Sequence, residues 1–155
     1  PGPGAVEIYG HSDGNRGLVF IVNPQYFGRT VRVPLDGSLG FAGRGRGGIA
    51  ELYPTERLML TEKGPFPRLG ATISVEAPAQ EVVVLEVRPA PKVIDEPRLY
   101  GLPGSVERTP DGYLAKVRGP QGSMGRFAVI TPRSRARIGT ATVRCANPAE
   151  DKRQP

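Results

Sequence analysis

The sequence predicts an all-β protein, an antiparallel β-sandwich followed by a smaller β unit. Three observations predict it. Short apolar runs rich in β-branched residues recur, chief among them Gly17-Leu18-Val19-Phe20-Ile21-Val22-Asn23-Pro24 and Glu81-Val82-Val83-Val84-Leu85-Glu86-Val87. The abundant glycines (21) and prolines (17) fall between these runs, as turn residues should. No stretch carries a helical period of ordinary length, and strands in this order without helices fit a sandwich rather than a catalytic α/β domain.

Taken in order, Val6-Glu7-Ile8-Tyr9 alternates and predicts a half-buried strand. Ser12 to Gly17 is turn chemistry, which makes a hairpin with the run from Leu18. That run, closed by Asn23-Pro24, reads as a fully buried central strand. In Thr30 to Leu35, Val31, Val33 and Leu35 share one side, and Pro34 marks an edge or a strand end. Ile49 to Tyr53 and Arg57 to Leu60 flank Pro54 as two short strands. Ala71 to Glu76 alternates with Ile73 and Val75 inward, and the valine-rich run to Val87 closes a sandwich of about seven strands.

Pro89-Ala90-Pro91 and Asp95-Glu96-Pro97 form a stiff connector. The domain boundaries are then 1–91 for the sandwich and 92–155 for the small unit and its tail. Ser105 to Arg108 and Tyr113 to Val117 flank Pro110-Asp111-Gly112, a turn in which Pro presets φ and Gly takes the left-handed position. Arg126 to Ile130 and Thr140 to Arg144 are two further strands. A unit this small buries little surface, so it is expected to dock on the sandwich. The polar tail from Asn147 to Pro155 is expected to be disordered.

At 155 residues the chain has room for one domain or two small ones, and 38% apolar residues suffice for a core. The net charge of +6 comes mostly from arginines spread along the chain, which suits a solvated surface. Arg44, Arg46, Arg133, Arg135 and Arg137 form a polyanion-binding alternative, with nucleic acid disfavoured. The single cysteine, Cys145, excludes an internal disulfide or a multi-cysteine zinc site, and reads as a buried, inert thiol. No apolar stretch has transmembrane length. The opening Pro1-Gly2-Pro3-Gly4, without Met, reads as linker in a piece of a longer protein, with any export signal upstream.

Few residues carry a chemical signature. Gly43-Arg44-Gly45-Arg46-Gly47-Gly48 matches a dinucleotide fingerprint in letters only, because a short strand comes after it where the motif needs a helix. It reads as a flexible loop. His11, at the end of the first strand beside Ser12 and Asp13, is contiguous with them, whereas triad members converge from different elements, so it reads as a turn histidine rather than a catalytic one. The acids Asp36, Glu51, Glu56, Glu62 and Glu76 offer no distinguished pair for glycosidic chemistry. No catalytic residue, metal site or cofactor is expected. Of the aromatics Tyr9, Tyr26, Phe27, Tyr53, Phe66, Tyr100 and Tyr113, the pair Tyr26-Phe27 comes after the Asn-Pro turn and is the best placed to stack on a sugar.

Residues 5–89 resemble the C-terminal β-sandwich domains appended to α-galactosidase-like and α-amylase-like glycoside hydrolases. The matching features are the Asn23-Pro24 strand end, Val31 to Asp36, Glu51-Leu52-Tyr53-Pro54, and the paired runs from Gly70 to Val87. The resemblance implies a non-catalytic module of a larger, exported bacterial enzyme, extracellular or periplasmic, with no membrane contact. Its partner would be the catalytic domain of the same parent chain. A carbohydrate-binding module using Tyr26 and Phe27 on a polysaccharide is the alternative.

Overall fold

Side chains two apart share a face of a strand, and this period sets the architecture. The computed structural model describes residues 4–120, 123–132 and 137–142. The sandwich strands are β1 (Glu7–Ser12), β2 (Gly17–Asn23), β3 (Arg29–Pro34), β4 (Gly47–Tyr53), β5 (Arg57–Leu58), β6 (Thr72–Ala77) and β7 (Glu81–Pro89). Strands β1, β2, β7 and β4 lie side by side in that order, all antiparallel. Strands β3 and β6 pair antiparallel as a second, two-stranded sheet, with β3 ending at Pro34. The core lies between the sheets. Val19, Ile21, Ile49, Val83, Leu85 and Val87 meet Val33, Ile73 and Val75 there, capped by Leu39 and Phe41.

The two long apolar runs differ from expectation in one respect. Neither is buried on both faces. In β2, Val19 and Ile21 are sealed while Leu18, Phe20 and Val22 are half-buried; in β7, Val83, Leu85 and Val87 are sealed while Val82 and Val84 are half-buried. The second sheet has only two strands and covers one face; among the described residues the other is left open across β1, β2 and β7, while Phe66 lies over it at Gly48 of β4.

Beyond the sandwich lie five more strands: β8 (Arg98–Tyr100), β9 (Gly104–Thr109), β10 (Gly112–Val117), β11 (Met124–Ile130) and β12 (Arg137–Thr142). Strand β8 sits just after the Pro-rich connector. It pairs parallel with β5 at Leu58 and Tyr100, and antiparallel with β11, which pairs with β12. The main sheet thus runs on through eight strands, so the later strands extend it edge to edge. Strands β9 and β10 form a separate hairpin with the expected turn after Thr109. A second core joins Tyr100, Ala128 and Ile130 to Leu58, Leu60, Phe66 and Ile94, drawing on both sides of the connector. Phe66 meets Tyr100 edge to face with ring centroids 5.5 Å apart.

A polar latch holds the junction. Glu51, buried in β4, accepts from Arg57 Nε at 2.8 Å and forms an ion pair with its Nη2 at 2.7 Å. Arg57 Nη1 donates to the Gly101 carbonyl at 3.0 Å, and the Gly101 N–H donates to the Leu58 carbonyl at 2.7 Å. Gly101 has φ of +99°, and a Cβ there would lie 2.3 Å from the Arg126 carbonyl oxygen, so only glycine fits. Arg133, Arg135, Cys145 and the tail from Asn147 lie outside the described residues, as do Val143 and Arg144 of the last expected strand.

Candidate functional site

Register alone assembles the most distinctive surface. Tyr9 faces Phe20, Phe20 faces Val84 and Val84 faces Tyr53, a row across four adjacent strands. A break in the β4–β7 register between Glu51 and Tyr53 puts Tyr53 rather than Leu52 opposite Val84. Val22 and Val82 face each other in the next row beside Glu7. On the other side lie Leu18, Glu86 and Ala50, with His11 opposite Leu18. All these residues point away from the sealed core because they alternate with it. Tyr9 and Tyr53 are 52% and 50% exposed. The result is an open apolar sheet face rimmed by polar groups: Glu7, His11, and a Glu86–Arg88 ion pair at 2.6 Å. The Tyr9 hydroxyl donates to Glu7, a bond that holds the phenol proton and raises its pKa. His11 lies exposed near the end of β1, the strand end at which the sequence places it. The turn proper is Asp13 to Arg16, where Asp13 Oδ1 accepts from the Asn15 and Arg16 amides.

The second surface is the loop after β2. Tyr26 is 87% exposed and Phe27 61%. Their backbone is held: the buried Asn23 donates through Nδ2 to the carbonyls of Phe27, Ala77 and Pro78, and its Oδ1 accepts from the Gln25 amide. The Gln80 amide donates to the Gln25 carbonyl at 2.9 Å. Two aromatic rings are thus displayed on a fixed strand-end loop. Of the other aromatics, Phe66 and Tyr100 serve the second core, and Tyr113 is exposed on the hairpin.

The carboxylates have separate local duties. Asp36 caps a single 3-10 turn (Gly37–Leu39), and the hydroxyl and amide of Ser38 lower its pKa. Glu51 holds Arg57, Glu76 accepts from Thr30, and Glu62 accepts from Ser74, its pKa lowered first by its own backbone amide. Glu56 lines a groove of about 820 Å³ between β4–β5 and the β9–β10 hairpin, together with Arg98 and Arg118. Of these acids only Glu56 lines this groove. Among the described residues no group of three His, Cys, Asp or Glu side chains is placed to hold a metal, and no helix is long and apolar enough to cross a membrane.

No family model, curated protein or solved structure matches this chain. Its function must therefore be read from the fold and these surfaces.

Proposed function

We propose that this chain is a non-catalytic packing module of a larger glycoside hydrolase, seated on the catalytic domain of the same parent chain through the open face of its main sheet. One observation carries the reading: the row Tyr9, Phe20, Val84 and Tyr53, with Val22 and Val82 beside it, is apolar, contiguous and uncovered. Strands that read as continuous apolar runs are normally buried on both faces. Here one face is buried by β3 and β6, and the other has the make-up of an interface, an aromatic and aliphatic centre within a polar rim. The glycoside-hydrolase assignment and export with the parent rest on the resemblance of residues 5–89. The test compares the parent chain with this chain alone, each carrying Tyr53→Ser. Burial at an interface centre costs the parent about 2 kcal/mol or more, while the isolated chain loses within about 0.5 kcal/mol. Equal effects in both would overturn the reading, as would a gene that encodes no further domain.

A second reading is favoured by the exposure of Tyr26 and Phe27. A rigid loop that holds two rings in solvent suits stacking on a polysaccharide. Salt-independent retention on one glycan of a panel, lost in Tyr26→Ala/Phe27→Ala, supports it. Failure to bind any glycan removes it and leaves the packing role untouched.

A further inference from the structure

We propose that Arg44, Arg46 and Arg68 form a receptor for one sulfate or phosphate ester group on a ligand. The segment from Gly43 to Gly47 lies against Pro67 to Leu69. The Leu69 amide donates to the Gly45 carbonyl at 3.0 Å and the Gly47 amide to the Pro67 carbonyl at 2.9 Å. Between these bonds Arg46 and Arg68 form an antiparallel bridge, so two arginines stand directly opposite each other. Like charges in that position repel, which makes the pairing costly unless an anion lies between them. Arg44 joins them at a shared cavity of about 530 Å³, lined otherwise by Gly43, Gly45 and Leu69. No carboxylate lines it. The ion pairs among the described residues use Arg57, Arg88 and Lys116 instead.

The site is built before any ligand arrives. The glycine-rich segment is also tied through the Gly43 amide to the Gly14 carbonyl at 2.9 Å, and through the Arg46 carbonyl to the Ala90 amide at 2.8 Å. Arg46 Nη1 donates to the Phe66 carbonyl at 2.8 Å, which fixes that side chain and leaves most of its donors available. The loop is therefore held, not flexible as its composition suggests. Planar guanidinium forks match the paired oxygens of a sulfate or phosphate. No aromatic ring lines the cavity, and single-stranded nucleic acids need such rings to stack their bases. The observations favour a compact ester-group site over a nucleic-acid track.

The first experiment tracks backbone amide NMR shifts during titration with sodium sulfate and sodium phosphate, against sodium chloride at matched ionic strength. Saturable shifts at Gly45, Arg46 and Leu69 are expected. Arg44→Gln/Arg68→Gln replaces two exposed side chains with no hydrogen bond to lose, and should weaken affinity at least about tenfold. The same change at exposed Arg32, on β3, should leave it unaltered. Retention of dextran sulfate but not dextran assigns a sulfated glycan as the source, and retention on phosphocellulose but not cellulose assigns a phosphate ester. Shifts no larger than with chloride, or full affinity in the double variant, would overturn the proposal. So would single-stranded DNA binding over a footprint that extends past these three arginines. None of these readouts involves the open sheet face, so either proposal can fail without the other.

Discussion

Replacing the half-buried Arg57 by Leu should destabilise the protein strongly, because of what it leaves behind. Glu51 keeps only 5% of its side-chain surface in solvent, and both of its bonds to Arg57 converge on one carboxylate oxygen. Without the guanidinium, a buried carboxylate has no cation and the Gly101 carbonyl has no donor from β5. Breaking a buried pair from one side costs about 3–5 kcal/mol. Arg57 itself is 28% exposed, so water can reach part of the gap and the lower end applies. About 3 kcal/mol lowers the midpoint of a chain this size by roughly 6–12 °C. Urea unfolding with an unchanged m-value measures it, and amide exchange at Tyr100 and Gly101 reports whether the junction between β5 and β8 loosens first. Glu51→Gln should cost only about 1 kcal/mol, since the amide oxygen still accepts. The double variant Glu51→Leu/Arg57→Leu should recover much of the loss, because no lone charge remains. A cost under about 1 kcal/mol for Arg57→Leu, or strict additivity in the cycle, would refute the latch.

Three further outcomes are expected. Asn23→Ala removes the donor shared by three carbonyls and should cost about 2–3 kcal/mol by chemical denaturation, with faster amide exchange at Gln25 and Gln80. Gly10→Ala places a Cβ 2.5 Å from the Leu39 carbonyl oxygen, a backbone atom that cannot swing aside, and should cost about 1–3 kcal/mol. In acid, the folded state holds Asp36, Asp13 and Glu62 below their ordinary values of 3.8, 3.8 and 4.5. Their contribution is present above those values and lost as pH falls through the lower folded values. Unfolding midpoints measured from about pH 5 downwards should drop, and Asp36→Asn should flatten that limb.

Much of the fold is legible along the chain. The inward Ile73 and Val75, Pro34 at a strand end and the turn after Thr109 each arise from a period of two or from turn chemistry, which depend only on neighbours in sequence. The exposure of Tyr26 and Phe27 reflects their place after an Asn-Pro turn. Strand β8 escaped because three residues carry no period, and it exists only through its partners β5 and β11. The full length of β1 escaped because nothing local reveals that the strand continues through Gly10 and His11 to Ser12, where Gly17 receives it.

The sequence by itself determined that the chain is all-β, where most strands lie and which residues turn between them. The physical reason is that side-chain alternation and backbone preferences are short-ranged. Only the tertiary structure decided what those strands leave open. The valine runs show that a strand is apolar on both sides, but not how many faces the sheet will cover; two strands opposite four settle that. Arg68 gives no local sign of meeting Arg46, nor Arg57 of meeting Gly101. Such contacts depend on which segments the common core brings together.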